Sequence, residues 1–425
     1  MKHIIISLSF VFFNFLISSA QDSAYARSIV NVLASDQYNG RGYVHNGCKR
    51  AGEFIAGEFE KLQLSKGNGE SYFQPFNFPV NTFPGKMSVS INNHLLTPGA
   101  DYIVSASCAS IKGKFPIVTI DSSNFRKPPP VFNKIVLIDT TGSWGGMNKD
   151  FIKHFVNDKN GAKGFIFIEE KKLTWTVADV QSAPIIHVLR NSLPSLPLKI
   201  RLKIEAELIK YNANNIIGFI PGTLYPDSFL LITAHYDHLG RMGKKTIFPG
   251  ANDNASGIAM LLNMATYFTN INHSLPYSVA FIAFAGEEIG LLGSYYYTES
   301  PTIPLAKIKF LLNVDLMGTG DDGIMVVNGS VYENDFNMMD SINSKLHLLA
   351  KVGKRGKAHN SDHYYFTEKN VPSFFCYTLG GRTAYHDIYD IPSTLPLTKF
   401  SEVFTLLKTF IQSKALPINT LRPIK

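Results

Sequence analysis

With 425 residues, 45% of them hydrophobic and 17% charged, and a mean hydropathy of +0.02, the chain is a globular protein long enough for two or three domains. A charged content below the ~25% of an average protein excludes long disordered tails. The formal charge of +8 does not point to nucleic acid, because Lys and Arg are scattered and the densest stretch, 351–357, holds only four.

The chain opens as a leader would. Lys2 and His3 give a short basic start, Ile4 to Ile17 is almost entirely apolar, and Ser18-Ser19-Ala20 places small residues before Gln21, so residues 1–20 read as a signal peptide cut after Ala20. The apolar run is shorter than the ~20 residues a spanning helix needs, and no Cys follows it to carry lipid. The expected mature chain is exported, secreted or periplasmic, with no stable membrane insertion. Its three cysteines, Cys48, Cys108 and Cys376, are too few for a disulfide scaffold, allow at most one bridge, and include no CxxC pair for a cysteine metal site. Cys376 follows Phe374-Phe375 in an apolar run and reads as a buried structural thiol rather than a nucleophile.

Residues 21–90 begin with helical patterns at 24–33 and 51–62 around the turn Asn39-Gly40-Arg41-Gly42. From about 70 the text changes to short alternating runs such as 86–91. A smaller α/β unit is expected over 91–210, with strands at 134–139, 161–168 and 183–188 and a helical stretch at 151–156. This unit resembles the protease-associated (PA) domain inserted into many secreted peptidases. It holds no catalytic constellation, and His154 and His187 read as surface or packing residues.

The second half, 211–425, repeats one logic. Apolar strands at 229–234, 278–285 and 308–314 end at His235-Tyr236-Asp237-His238, at Gly286-Glu287-Glu288 and at Asp315. Continuous apolar strands alternating with helices predict a mostly parallel sheet buried on both faces, with ligands bound beyond the strands' carboxyl ends. Between the first two strands, Gly250-Ala251-Asn252-Asp253-Asn254 opens a helix with one apolar face at 258, 261, 262, 265 and 268. Singly, each acid has an ordinary structural reading: Asp253 as a helix N-cap, Asp315 as a turn residue, Glu287 and Glu288 as first-turn acids. Together with His235 and His386 they form a set of nitrogen and oxygen donors suited to a pair of cations.

In order along the chain, Ala234-His235-Tyr236-Asp237, Gly250 to Gly257, Ala285 to Ser294, Asn313 to Gly318, Ser361-Asp362-His363 and Tyr385-His386 closely resemble the co-catalytic zinc aminopeptidases of the bacterial leucyl aminopeptidase and glutamate carboxypeptidase type. The likeness is strong over 210–395. Asn39-Gly40-Arg41 and the helix near the start also look like that family's N-terminal part, which makes the PA-like unit an insertion. The resemblance implies an α/β zinc exopeptidase fold, a mixed and mostly parallel central sheet flanked by helices. It implies two Zn2+ ions, replaceable by Co2+ or Mn2+, with Asp253 bridging them, Glu288 and His386 completing one site, and His235 and Asp315 the other. It further implies peptide substrates, a shared water activated by the metals, and Glu287 as general base.

Three residues take supporting roles in that reading. Asp237, two positions after His235, would fix its imidazole, and Asp390 would do the same for His386. Tyr385 is a candidate donor to the tetrahedral oxyanion, with packing as the alternative. His238, Ser361, Asp362 and His363 are placed behind the ligands or in the pocket wall. Arg382 fits either a substrate carboxylate or solvent, which leaves a carboxypeptidase preference open. A glutaminyl-cyclase-like acyltransferase is the alternative on the same fold. Relatives of that kind usually carry Asp-Ser-Ala and Asp-Asp-His where this chain has Asp253-Asn254-Ala255 and Ser361-Asp362-His363. A non-enzymatic binding module would be expected to lose ligands, and this chain keeps all five.

Overall fold

The computed structural model describes residues 17–139, 155, 156, 158 and 161–415. The basic start and most of the apolar leader therefore lie outside the described residues, as do His154 and most of the helical stretch expected at 151–156. The first described helix, Ile17–Leu33, begins earlier than the expected Ala24 and runs through the Ala20–Gln21 junction. Among the described residues no helix is long and apolar enough to cross a membrane.

Two large sheets organise the chain. In the first, the strands Tyr277–Phe284, Tyr225–His235, Ile308–Val314 and Ser373–Thr378 lie side by side and parallel. On one flank Glu207–Ile220 pairs antiparallel with Tyr277–Phe284, and on the other Ile324–Val327 runs antiparallel to Ser373–Thr378. The sheet is thus mixed, with parallel strands at its centre. Those strands need no alternation because both faces are covered, and Tyr277–Phe284 is buried at every position after the first. The helices Ile17–Leu33, Gly47–Lys61, Gly257–Thr269 and Phe400–Lys414 pack on one face, while Tyr297 and Phe366 mark the cluster on the other.

The second sheet is built from the chain between two paired strands. Phe73–Thr82 runs antiparallel to Glu207–Ile220 with Thr82 directly opposite Glu207. The chain therefore leaves the first sheet and returns to it at the same point, so everything between is an excursion that the main core does not have to accommodate. Among the described residues eight strands form this excursion, and four of them, Ile111–Ile120, Ile135–Ile138, Gly164–Glu169 and Ile185–Leu189, are parallel. The unit starts with Met87–Ile91, a few residues before the expected boundary at 91, and its last strand is Lys199–Ile204. It has its own core of Val89, Ile135, Ile166, Ile186 and Leu202. All three cysteines are buried and free.

Candidate active site

The parallel register decides where the polar residues go. His235 ends Tyr225–His235 opposite Phe284, so the next turn of the neighbouring strand, Gly286-Glu287-Glu288, rises beside it. Asp315 follows Ile308–Val314 on the other side. His235 Nε2 lies 3.3 Å from Asp315 Oδ2 and 3.4 Å from Asp253 Oδ1. His386 Nε2 lies 3.0 Å from the other oxygen of Asp253 and 3.2 Å from Glu288 Oε2. Asp253 therefore faces a histidine with each of its oxygens.

Asp253 is held there by its backbone. It is not the helix N-cap: the stretch Ala251–Ser256 is kinked at Asp253 and Asn254, and Asn254 Oδ1 accepts the Gly257 N–H at 2.9 Å. The carbonyl side of this loop is gripped by Arg41, which is fully buried. Its guanidinium donates to the carbonyls of Tyr236 (2.9 Å), Leu33 (3.2 Å), Pro249 (2.7 Å), Gly250 (2.7 Å) and Asp253 (2.9 Å). Gly250 has φ +62°, and a Cβ there would come within 2.6 Å of Arg41 Nη2 and 2.1 Å of the Asp253 carbonyl, so no side chain fits. The amide side is gripped by Asp390, whose carboxylate accepts the N–H groups of Asn252 and Asp253. Asp390 does not touch His386, contrary to the sequence expectation. His386 Nδ1 instead donates to the carbonyl of Trp175 at 3.0 Å, a partner from the inserted unit.

Asp237 also differs in detail from its expected role. His235 Nδ1 pairs with the Asp237 backbone carbonyl at 3.2 Å, while the nearest carboxylate oxygen is 3.9 Å away. That carboxylate accepts the Glu287 and Glu288 N–H groups (3.2 and 3.4 Å) and the Tyr43 hydroxyl (2.6 Å). Its task in the fold is to pin the Glu287-Glu288 turn. His238 stands directly against the donors. Its Nδ1 lies 2.6 Å from Glu288 Oε1 and 3.9 Å from Asp253 Oδ1, so His238, Asp253 and Glu288 form a compact donor group of their own beside His235, Asp253 and Asp315. His238 is fully buried and does not line the cavity, whereas His386 does.

The cavity in front of these groups measures about 480 Å³ and is lined by Asp253, Glu287, Glu288 and Asp315, with Leu291, Leu316, Phe375 and Tyr377 as apolar wall. Four carboxylates and no Lys or Arg line it among the described residues. Burial pushes Glu287 well above the usual carboxylate range, reinforced by Glu288, Asp362 and Asp315 and opposed by His235. For His386 burial favours the neutral ring, yet Glu288 and Asp253 outweigh it and lift the imidazole to about 11. So many buried acids call for positive charge, and Asp315 Oδ1 is buried with no hydrogen-bond partner. Two divalent cations would balance the four carboxylates, and the imidazole and carboxylate donors fit them.

Residues 215–411 match the model of peptidase family M28. That match covers 197 of the 425 residues, the part that carries the donor group. Over 286 residues, 64% of this chain, the sequence is 25% identical to the aminopeptidase YwaD of Bacillus subtilis, covering 57% of it. A probable zinc metalloprotease of Pyricularia oryzae is 32% identical over 114 residues, which are 26% of this chain and 22% of that protein. The chain thus spans at most 57% of the length of these curated relatives. A solved zinc aminopeptidase from Bacillus subtilis superposes with a TM-score of 0.71 at 19% identity, over 94% of this chain and 96% of its own. An M28 peptidase precursor from Shewanella amazonensis gives a TM-score of 0.68 at 16% identity, over 96% and 98%. At these identities the likeness is one of fold, and it is too wide to leave out either sheet.

The other expected residues of the second half fall outside the donor group. Tyr385 is 45% exposed at the cavity mouth, its ring stacked on His386 at 3.9 Å. Ser361 accepts from Asn313 Nδ2 at 2.8 Å behind the strands, and Asp362 and His363 are buried nearby. Arg382 neither meets the cavity nor faces solvent freely: it donates to Thr394 Oγ1 (2.7 Å) and the Tyr389 carbonyl (2.9 Å). Tyr43 and Trp175 were not anticipated at all, since each is joined to the site across about two hundred residues of sequence with no local motif to mark it.

His363 sets an acid limit on the fold. Burial pushes its imidazole down to about 3, while the unfolded chain has the ordinary value near ~6.5. Between these values the unfolded state binds more protons, so this contribution is fully present above about 6.5 and is lost as pH falls toward 3. Urea unfolding at pH 7 and pH 5 is expected to show lower stability at pH 5, and a smaller pH difference in His363→Gln. An equal difference in both proteins would remove His363 as the cause.

Proposed function

We propose that the chain is an exported zinc-dependent aminopeptidase that removes N-terminal residues from peptides. The observation that carries this reading is Asp253, whose two oxygens face His235 with Asp315 on one side and His386 with Glu288 on the other. His235 and Asp315 would hold one Zn2+, Glu288 and His386 the second, and Asp253 both. Co2+ or Mn2+ suits the same donors. Two such ions, when bound, supply an acidified water and a polarised carbonyl. The M28 match and the names of the relatives, a Bacillus aminopeptidase and fungal zinc metalloproteases, support the same class.

Glu287 is the general base in this reading. It lines the cavity, its carboxylate makes no hydrogen bond among the described residues, and burial raises its proton affinity, which helps it accept a proton and pass it to a leaving amine. Tyr385 stands at the cavity mouth, where its hydroxyl can donate to a developing oxyanion. Among the described residues no Lys or Arg lines the cavity to pair with a terminal carboxylate, and Arg382 is already engaged. This favours aminopeptidase over carboxypeptidase action. Export is supported by the basic start, the apolar run and the Ala20-Gln21 junction, and the excursion between Thr82 and Glu207 is read as the PA-like unit.

The test is a panel of aminoacyl, C-terminal glutamyl and N-terminal glutaminyl substrates, with chelator and after zinc is restored. Hydrolysis of the aminoacyl members alone, abolished by chelator and recovered with zinc, is expected. Cyclisation of the glutaminyl member, or chelator-insensitive turnover, would overturn the reading.

A further inference from the structure

The loop carrying His386 is held from two sides, by its own half of the chain through Asp390 and by the inserted unit. His386 itself sits at φ 53°, a backbone region that residues other than glycine rarely adopt and keep only where the surroundings impose it. The segment from Lys172 to Trp175 reaches across from the insert and binds this loop at four points. Trp175 N–H donates to the His386 carbonyl at 2.9 Å, and the Trp175 carbonyl accepts from His386 Nδ1 at 3.0 Å. Lys172 Nζ donates to the Thr383 carbonyl at 2.6 Å and pairs with Asp387 Oδ2 at 3.0 Å. Asp387 in turn accepts the Tyr389 N–H at 2.9 Å, folding the turn on which Lys172 rests.

Trp175 is anchored at its other end. Its indole is 4% exposed, stacks on Phe248 at 4.6 Å and donates from Nε1 to the Val104 carbonyl at 2.8 Å in the insert. A carbonyl can only accept, so its contact fixes a proton of His386 on Nδ1 and leaves Nε2, between Asp253 and Glu288, as the ring atom that would take a cation. His235 obtains the same service from within its own strand end, through the Asp237 carbonyl. The two histidines are therefore oriented by different units of the chain.

We propose that the inserted unit is a working part of the metal centre, with Lys172 and Trp175 as positioning residues that keep His386 in ligand geometry for one of the two cations. This rests on the reading of His386 as a ligand. Losing a partner that orients a metal-bound histidine typically weakens the metal by ~10–100-fold. Lys172 acts one step further out, through the loop, so an effect near ~10-fold is expected.

The test uses the full chain loaded with zinc, and reads zinc per chain and the rate of zinc release to a chromophoric chelator. Lys172→Met is expected to speed release of one of two zinc ions about 10-fold while the second is unchanged, and Lys172→Arg to restore the slow rate. Lys172 is half-buried and its partner Asp387 buried, so release is compared well below the thermal unfolding midpoint of Lys172→Met, where the chain is folded. Two zinc ions released from Lys172→Met at wild-type rates, or both released faster together, would overturn the proposal. A wild-type chain that binds no zinc would overturn it along with the metal reading, and is distinguished at the first measurement.

Discussion

Glu287→Gln is expected to keep its fold and its full zinc content while losing roughly 10²- to 10⁴-fold in turnover, the usual contribution of a positioned general base. Gln has nearly the same volume and cannot accept the proton. The turn does not depend on the Glu287 carboxylate, because its amide is held by Asp237 Oδ1 and that of Glu288 by Asp237 Oδ2. Removing one of four crowded acids also relieves like-charge repulsion, so thermal stability should not fall. Glu288→Ala should behave differently, since Glu288 meets both His238 and His386. Its loss leaves two imidazoles facing an empty position, and zinc per chain is expected to drop with activity. Elemental analysis beside kcat separates the two: full zinc in Glu288→Ala with depleted zinc in Glu287→Gln would exchange the roles.

The second large effect concerns a residue that touches no substrate. Arg41→Met is expected to destabilise the chain by about 4 kcal/mol or more in urea unfolding, an exceptional loss for one substitution. Five carbonyls take hydrogen bonds from this one guanidinium, and Met would leave them unpaired at about 1–3 kcal/mol for each that water cannot reach. These costs are not additive, because the Pro249–Asp253 loop would relax. That relaxation moves Asp253, so the fraction that still folds should bind less zinc. Arg41→Lys keeps the charge, but three donors on a compact ammonium cannot span carbonyls on both sides of the planar fork, and less than half of the loss should be recovered. A change below about 1 kcal/mol in Arg41→Met would show that the loop is held by Asp390 alone.

Both predictions join residues whose roles differ in how they can be read. Glu287, Glu288, His235 and Asp315 stand at ends of apolar runs, and periodicity places such ends on the rim of a parallel sheet, whereas Asp253 and His386 were placed there by the family resemblance. Their convergence was accordingly legible, as were the central strands to within a few residues. The supporting contacts were less so. Asp390 was expected at His386 because it is close in sequence, but its carboxylate faces two backbone amides that the kink at Asp253 turns outward. Asp237 was expected to hold His235 with its carboxylate, but the strand end presents its carbonyl instead. His238 was placed behind the ligands or in the pocket wall, and only the structure shows that it meets Glu288 at 2.6 Å, because the two strand ends are neighbours.

What the sequence determined by itself is the material of the site: donor types, their order and the apolar strands that carry them to one edge, because side-chain chemistry and hydrophobic period are local properties. Tertiary structure alone decided which group orients which. Arg41, Tyr43, Lys172 and Trp175 act through hydrogen bonds to atoms far along the chain, among them the backbone carbonyls of Gly250, Asp253, Thr383 and His386. Every residue carries a carbonyl, so residue identity says nothing about which one a distant donor will find. Only the packing of two sheets against each other selects it.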